Sequence, residues 1–528
     1  MSIQSRRETV KNTSIFSFFT IISRFLGLLR DMLKAYAFGT GIMAVAFDIA
    51  FRIPNTLRNL VAEGALAQSF IPIYENYKKQ TNEREVSGVI LSFMFIALSL
   101  LSVGAHFLLP FVIPSLVHDP EQALAQTKLT IDLCQILFPY IIFMSLSSIY
   151  MGIQYSYSRF LAPSFGPALL NIIVVLFFGF YLFFEKQEEN KDFNSVYIFS
   201  VITLFAAFVH LIFQIFYVKK IGLSPKYSFQ FKNKVIKSLF IMMLPAVFAA
   251  GVQEIGHIID IYLATYLHEK VPGAVSALTY SHRILHLPIG VIGVAVSTAS
   301  LPQLSKLFAE KNIEAFKSTL SHSLSLNLFL LLPAALGVIF LSEPIIGLIF
   351  ERGEFDLEST KVTAYALKLY AIGIPAYGVQ KLFTSAFYAQ KNSKTPAKIT
   401  VFILIINIAL SILFMRTYLH GGLALGSASA AYIGIFIYVL LLYKTSHFSL
   451  TKSEKINFLK IILLNLFFAI FIYFLQSLLS NEKYHTILTI TIGLAFAFYS
   501  IFSRILNIIE SKIFIDLWKN FVHFLKKR

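Results

Sequence analysis

Five polar side chains follow one helical face within an otherwise hydrophobic stretch. They are separated by four, three, four and four residues, which is the spacing of one face of an α-helix. Ionisable groups at membrane depth are costly, so they normally face a bundle interior or a water-filled cavity. This stretch therefore predicts a polar, largely cationic chamber inside a membrane protein. The five residues are Asp48, Arg52, Asn55, Asn59 and Glu63.

Arginines within the hydrophobic segments suggest the ligand of that chamber. Arg24 and Asp31 are seven residues apart and share a helical face, whereas Arg30 is expected to point elsewhere or to lie near the helix end. Arginine stays protonated when buried, and its planar fork of donors matches phosphate oxygens. We expect a diphosphate to bind a cluster formed by Arg24, Arg52 and Arg283, with Arg30 or Arg58 nearby.

Acidic groups are expected to balance this charge. Asp31, Asp48 and Glu63 would offset the arginines when the site is empty. The alternative is that the charged groups pair with one another and only brace helices, as many buried pairs do. We favour that structural role for Arg58 and Glu63, near a helix end. For the three clustered arginines we favour ligand binding, because intramembrane charges are by default functional candidates.

A cation or a proton could bind a second set of polar groups. Glu254, His257 and Asp260 follow one another at three-residue steps, and Asp260 and Asn407 are candidate ligands of a coupling ion. A hydrogen-bonded polar pair in the core is an equally good interpretation. The spacing of the nearby histidines is not specific for zinc, so we expect titrating core histidines at His257, His282 and His286.

The composition requires a membrane-embedded chain. Of 528 residues, 56% are hydrophobic and 14% are charged, whereas soluble domains carry about 25% charged residues. Apolar runs of spanning length recur from end to end, without the alternation of barrel strands, so they predict helices. The net charge of +17 lies mostly in short connections, which indicates topology rather than nucleic-acid binding. Cys134 is the only cysteine, so no intrachain disulfide can form.

The apolar runs predict an all-α integral membrane protein with about fourteen transmembrane helices. Basic connections alternate with acidic or neutral ones, which places both termini in the cytoplasm. The N-terminal run lacks a clear cleavage site, so we interpret it as a retained first helix. The predicted spans are 13–36, 42–68, 86–110, 128–155, 163–184, 195–218, 236–267, 273–300, 318–342, 361–390, 397–417, 422–444, 456–479 and 484–506.

The chain also repeats itself weakly. Residues 44–77 resemble 274–307, and residues 138–171 resemble 374–407, with prolines at matching places. Each half then holds six helices, which predicts a parallel, pseudo-two-fold repeat of two lobes, as in transporters that rock about a central site. The predicted domains are an N-lobe at 1–220, a C-lobe at 221–445, and two further helices with an interfacial amphipathic helix at 446–528.

Familiar catalytic motifs are missing from the sequence. It contains no phosphate-binding loop of the ATPase type, no nucleophile elbow and no HExxH zinc motif. The acidic segment 351–359 could hold catalytic carboxylates, although a solvated loop is the simpler interpretation. We therefore predict that the protein is not an enzyme.

Six segments together resemble one protein family. They are SRFLGLLRD at 23–31, AFGTG at 37–41, FDIAFRIPNTLRNLVAEGALAQSFIPIYENY at 47–77, FPY at 138–140, YSHRILHLPIGVIGVAVSTASLPQLSK at 280–306 and KTPAKI at 394–399. This set resembles the MurJ/MviN family of bacterial lipid II flippases, in the multidrug/oligosaccharidyl-lipid/polysaccharide exporter superfamily. The resemblance covers essentially the whole chain, and its most specific part is the first two helices.

The resemblance implies two six-helix lobes around a cationic cavity and two C-terminal helices that form a lipid-facing groove. The cavity would take the diphosphate-sugar headgroup, and the groove would take the polyprenyl tail. Asp48 and Glu63 match acidic positions of the second-helix motif. The positions that match basic cavity residues are Arg24, Arg30, Arg52 and Arg283.

This sequence departs from the family pattern at a few positions. His282 stands where a small polar or acidic residue is common, and His286 stands where glutamate can occur. Asp260 and Asn407 resemble two ligands of a sodium site that some members use. A further acidic ligand is missing near Ser411. Sodium is the one ion that the resemblance suggests. Without that acidic ligand, the resemblance does not establish sodium coupling, and no other cofactor is expected.

The predicted function is to move lipid II, an undecaprenyl-diphosphate-linked disaccharide peptide, from the cytoplasmic to the outer leaflet by alternating access. The expected partners are lipid II and membrane lipids, with no nucleic acid, and the expected state is a monomer in the bacterial inner membrane. One alternative is a multidrug or polysaccharide-lipid exporter of the same superfamily. An alternative of another class is a polyprenyl-phosphate membrane glycosyltransferase.

Overall fold

The chain folds into two compact units, and all regular secondary structure in the described residues is helical. The first unit comprises Met1–Ser276 with Arg352–Asp356, and the second comprises Ala277–Glu351 with Leu357–Arg528. The structure, a computed structural model, describes residues 3–60, 67–78, 83–116, 124–184, 193–229, 234–267, 269–446, 448–479 and 482–512.

The helices of the first unit surround one hydrophobic core. Phe38, Phe47, Phe178 and Phe199 lie at its centre, with ring centroids 4.7–5.8 Å apart. Close packing of this kind holds helices together in membranes, where lipid is as apolar as the core. The helices are α1 Ile3–Phe38, α2 Ile42–Arg58, α3 Ala67–Lys78, α4 Glu83–Leu116, α5 Leu124–Leu137, α6 Tyr140–Ser156, α7 Leu161–Phe184, α8 Asn194–Lys220 and α9 Lys234–Thr265.

The second unit begins within α10, which is followed by a π-helical segment at Ile289–Gly293. A 3₁₀ turn at Ile509–Ser511 follows the last helix. The helices are α10 Ala274–Pro288, α11 Val294–Ala309, α12 Ile313–Phe340, α13 Ser342–Phe350, α14 Leu357–Ala371, α15 Ile374–Ala389, α16 Lys394–Ser446, α17 Lys452–Leu478 and α18 Tyr484–Ile505.

The structure confirms the all-α membrane fold predicted from the sequence. Nine helices in the described ranges are long and apolar enough to cross a membrane, and each of the fourteen predicted spans overlaps a helix. The predicted spans 397–417 and 422–444 form a hairpin within α16. Leu419, with φ 51° and ψ −134°, breaks the helix, and Ser427 on the second arm donates to Asn407 on the first.

Several predicted helices are interrupted. Pro139 separates α5 from α6 within the span predicted at 128–155, and Pro375 occupies the first turn of α15 after the break that follows α14. Proline has no N–H for an internal helical hydrogen bond, so it sits at helix starts. These prolines occupy matching positions of the predicted repeat. The lobe boundaries drawn from the repeat, at 220 and 445, remain a prediction.

The acidic connection between α12 and α14 is more ordered than the sequence predicts. It contains the short helix α13, and the Glu351 carboxylate accepts hydrogen bonds from Thr360 at 2.8 Å and Tyr484 at 3.2 Å. The expectation of a solvated loop is therefore wrong at this residue, because two hydroxyl donors hold it. The amphipathic helix is predicted for the C-terminal tail at 507–528, of which residues 513–528 lie outside the described residues.

A short strap from this connection belongs to the first unit. The strap is Arg352–Asp356, and its Glu354 N–H donates to the Tyr36 carbonyl of α1 at 2.9 Å. Phe355 of the strap is almost fully buried. Gly39, just after α1, and Gly353 both have left-handed φ, 56° and 60°, which only glycine adopts without strain. The strap thus covers the C-terminal end of α1.

A buried polar cluster joins α17 to α12 and to the 3₁₀ turn. The side-chain amide of Asn457 in α17 donates to Glu510 and to Ser325, each at 2.9 Å. Its Oδ1 atom accepts a hydrogen bond from the Ile509 N–H. Glu510 is only 3% exposed, and His322 lies 3.9 Å from its carboxylate. A buried carboxylate needs such donors.

Replacing Asn457 with leucine should therefore lower the free energy of unfolding of the second unit by about 2–3 kcal/mol, because Glu510 loses a buried donor. The midpoint of thermal unfolding in detergent measures this. Lys460→Met is the control on the same helix. Its ammonium reaches Asn507 O in an exposed contact, so it should cost at most about 0.5 kcal/mol. Equal losses in the two variants would contradict a buried role for Asn457.

Candidate functional site

Asp48 lies in a buried ion pair between α1 and α2. Lys34 Nζ donates to Asp48 Oδ1 at 2.6 Å, and Ser276 Oγ donates to Asp48 Oδ2 at 2.8 Å. Side chains of both charged residues are less than 10% exposed. Both carboxylate oxygens are therefore occupied, and Asp48 neutralises Lys34 within the first unit.

Arg30 is also fixed by its neighbours. Its guanidinium donates to Asp31 Oδ1 at 2.9 and 3.1 Å and to Asn171 Oδ1 at 3.2 Å. Asn171 in turn donates to Pro167 O at 3.1 Å. Asp31 thus pairs with adjacent Arg30 rather than with Arg24, because a long arginine side chain can fold back along its own helix. Arg24 itself is exposed.

Arg52 faces an acidic residue of α9. Its guanidinium is close enough to Asp260 to attract it electrostatically, and Arg52 makes no hydrogen bond to a residue that the structure describes. Asp260 Oδ1 is buried and likewise accepts no hydrogen bond within the described residues. Buried polar atoms are nearly always satisfied. Within the described residues, the Arg52 donors and the Asp260 Oδ1 acceptor are therefore unused polar atoms.

The next turn of the polar face binds α9 as well. Glu254 accepts hydrogen bonds from Thr56 Oγ1 at 3.1 Å and from Asn59 Nδ2 at 3.0 Å. Arg58 donates to Asn59 Oδ1 at 2.7 Å. This contact joins neighbouring residues of the same helix end, so the structural role of Arg58 in bracing helices stays a prediction. Glu63 and the side chain of His257 lie outside the described residues.

The second unit holds the remaining predicted groups. Arg283 of α10 is half-buried. Asn407 Oδ1 accepts from Ser411 at 3.3 Å and from Ser427 at 3.1 Å. A carbonyl oxygen has two lone pairs, and the two hydroxyls use both of them on Asn407. Asn407 can therefore bind a cation only if one hydroxyl turns away, whereas Asp260 has an oxygen that accepts no hydrogen bond within the described residues. No three His, Cys, Asp or Glu side chains of the described chain converge on one point.

Sequence reasoning missed several of the partners. Lys34, Ser276 and Asn171 are not among the predicted site residues. Lys34 could have been noticed, because a lysine near the end of an apolar span, three residues after Asp31 and fourteen before Asp48, needs a counter-charge. Nothing in the sequence distinguishes Ser276 or Asn171 from other polar residues of apolar helices.

Comparison with known proteins gives consistent matches. The family model described as "Lipid II flippase MurJ" matches residues 34–494. A protein of Rickettsia prowazekii (strain Madrid E), named "Probable lipid II flippase MurJ", is 33% identical over 450 residues, 84% of each chain. A solved structure described as "Lipid II flippase MurJ, inward closed conformation" is 28% identical, with a TM-score of 0.76, over 93% of this chain and 99% of the other.

A second solved structure shares the fold at low identity. It is an inward-facing multidrug resistance MATE family transporter of the MOP superfamily, 14% identical with a TM-score of 0.61. The match covers 80% of this chain and 96% of that one. At this identity the likeness concerns the fold alone.

Proposed function

Because the chain belongs to the lipid II flippase MurJ family, we propose that it carries lipid II from the cytoplasmic to the outer leaflet of the inner membrane by alternating access. The substrate is an undecaprenyl diphosphate linked to a disaccharide peptide. No covalent bond is made or broken, so the protein acts as a carrier. We further propose that it works as a monomer with both termini in the cytoplasm, as the charge of its connections favours.

The observation that carries this proposal is the state of Arg52. Its half-buried guanidinium has an electrostatic partner in Asp260 but no hydrogen-bonding partner among the described residues. In contrast, Arg30 and Lys34 are engaged by carboxylates. A guanidinium in a low-dielectric site with unused N–H donors is suited to bind a diphosphate through paired hydrogen bonds. We propose that Arg24 and Arg283 complete the binding site.

The mechanism has two steps. In the inward-open state, the arginines bind the diphosphate and replace the water that its charged oxygens lose. The two halves then rearrange and expose the headgroup to the outer side. Membrane potential, negative inside, acts on the cationic residues and helps to return the empty carrier, at about 2.3 kcal/mol per charge for 100 mV. The C-terminal helices α17 and α18 would guide the polyprenyl tail.

A coupling cation can be proposed at Asp260. Its free, buried carboxylate oxygen supports binding of sodium or a proton. Such an ion would compete with Arg52 for the same carboxylate, and so could release the guanidinium for substrate. Asn407 would be a second ligand, after Ser411 or Ser427 turns away.

A leaflet-accessibility assay tests the proposal. Acute loss of the protein should leave lipid II in the cytoplasmic leaflet. Arg52→Ala should reduce flipping at least about tenfold, because each charge-assisted hydrogen bond contributes about 1.5–3 kcal/mol, and Arg283→Ala should act likewise. Arg504→Ala is the control, since this exposed arginine lies in the last turn of α18 and is not among the proposed binding residues. Normal flipping by the Arg52 and Arg283 variants, at normal protein levels, would refute this site.

The fold shared with the MATE family transporter leaves one alternative function open, that of a multidrug exporter. A drug-cation exporter would want acidic walls rather than arginines, so drug efflux that survives Arg52→Ala would favour it. The glycosyltransferase alternative needs free carboxylates near the interface. Glu351 is instead held by two hydroxyl donors, which disfavours catalysis by this carboxylate.

A further inference from the structure

Two histidines of α10 point their ring nitrogens at each other. His282 Nε2 and His286 Nε2 are 3.1 Å apart, and the ring centroids are 4.2 Å apart with an interplanar angle of 79°. The pair is one helical turn apart and therefore lies on one face. His282 is half-buried, with the ring of Tyr370 at 5.9 Å, and His286 is exposed.

The 3.1 Å between the two Nε2 atoms is close to the distance between two nitrogens that bind the same metal ion. Zinc binds imidazole nitrogen at about 2.0–2.1 Å with tetrahedral geometry, which places two nitrogens on one ion about 3.3 Å apart. The distance between the two nitrogens therefore needs to grow by only a few tenths of an ångström, while each ring turns so that its Nε2 points at the ion instead of at the other ring. Neutral imidazole is a preferred ligand of zinc, copper and nickel.

We propose that His282 and His286 form a binding site for a divalent transition-metal ion of the zinc, copper and nickel group, through their two Nε2 atoms. Water or an oxygen anion fills the remaining positions. The sequence spacing of His257, His282 and His286 is not specific for zinc. In the structure, however, the two Nε2 atoms of His282 and His286 lie close enough to hold one ion.

The proton balance of binding is simple. When the two Nε2 atoms share a hydrogen bond, one ring carries its proton on Nε2 and the other offers a lone pair. A metal needs lone pairs on both Nε2 atoms. The donor ring therefore moves its proton to Nδ1 through solvent, with no net change in charge on the protein. No oxidant or reductant is involved.

The surroundings of the pair allow an ion to arrive. A polar side chain at membrane depth normally faces protein or water rather than lipid, so exposed His286 is expected to be reachable from an aqueous cavity. The π-helical segment starts three residues later, and such segments frequently occur at functional sites. Arg283 carries the neighbouring positive charge. Because adjacent helix residues point about 100° apart, its side chain leaves the helix in a different direction from that of His282.

The test is a zinc titration of the full chain, purified in detergent at pH 8 with an affinity tag that contains no histidine. Chelator-treated protein is titrated with Zn²⁺ by calorimetry, and Cu²⁺ binding is followed by electron paramagnetic resonance. We expect one Zn²⁺ per chain and a copper spectrum with two coupled imidazole nitrogens. His286→Gln should weaken zinc binding at least about tenfold.

Two further variants make the outcome decisive. His282→Gln tests the second ligand, and His106→Gln is the control, because this exposed histidine belongs to α4 in the other unit. Retained thermal unfolding midpoints in metal-free buffer show that the variants fold. Unchanged zinc affinity in both His282→Gln and His286→Gln, or no binding by the unmodified chain, would mean that the pair is only a hydrogen bond. Flipping is not part of the readout, so this result is independent of the proposed function.

Discussion

Replacing Asp48 with leucine is expected to destabilise the first unit by about 3–5 kcal/mol, because Lys34 would keep a buried ammonium without its counter-charge. The pair is almost completely removed from solvent, and Ser276 satisfies the other carboxylate oxygen. The free energy of unfolding, or the thermal midpoint in detergent at fixed detergent concentration, measures the loss.

The double variant Lys34→Met with Asp48→Leu shows whether the stability loss comes from leaving one charge unpaired or from losing the charges themselves. It replaces both charged groups with apolar side chains, so neither charge is left buried alone, and it should recover most of the lost stability, as replaced buried pairs often do. A double variant as unstable as Asp48→Leu alone would contradict the pairing. If the double variant is stable and flips lipid II normally, the pair only braces α1 against α2. If it is stable but inactive, the charges take part in transport.

Replacing Gly39 with alanine should also have a large effect. The added Cβ would lie 2.2 Å from the Glu354 carbonyl oxygen, and the left-handed φ of Gly39 costs an L-residue about 1–2 kcal/mol. Overlap with backbone adds about 1–3 kcal/mol. We expect a lower thermal midpoint and easier proteolysis of the strap Arg352–Asp356, which limited proteolysis would detect.

Two other glycines serve as controls that distinguish the cost of backbone strain from the cost of overlap with the added Cβ. Gly222 has φ +74° but nothing within 4 Å of an added Cβ, so Gly222→Ala measures backbone strain alone. Gly41 has an ordinary φ of −70° and only the Phe38 carbonyl at 3.5 Å, so Gly41→Ala should be nearly neutral. If Gly39→Ala costs no more than Gly222→Ala, close approach of the strap is not what fixes glycine at this position.

The membrane helices could be predicted because their signal is local. Runs of apolar residues as long as a bilayer is thick define a span without knowledge of its neighbours. Prolines stand at two of the breaks inside predicted spans, Pro139 before α6 and Pro375 at the start of α15. The π-helical segment Ile289–Gly293 and the short helix α13 were not predicted, because both depend on packing rather than on propensity.

The polar site could be predicted only in part. The spacing of Asp48, Arg52 and Asn59 predicted one polar face. It did not predict that Asp48 binds Lys34 of α1, whereas Arg52 lies near Asp260 and Asn59 binds Glu254, both of α9. Which charge pairs with which depends on distances between helices far apart in sequence, and one sequence does not contain them. For the same reason, spacing placed Asp31 with Arg24, although its carboxylate binds Arg30.

The strap has a consequence for how the chain matures. Residues 352–356 complete the end of α1, yet the ribosome makes them long after the rest of the first unit. Membrane proteins are inserted from the N-terminus while synthesis continues. The first unit must therefore wait, with Gly39 and the α1 carbonyl of Tyr36 uncovered, until translation has passed Asp356. A fragment cut after Ser276 would stay in that unfinished state.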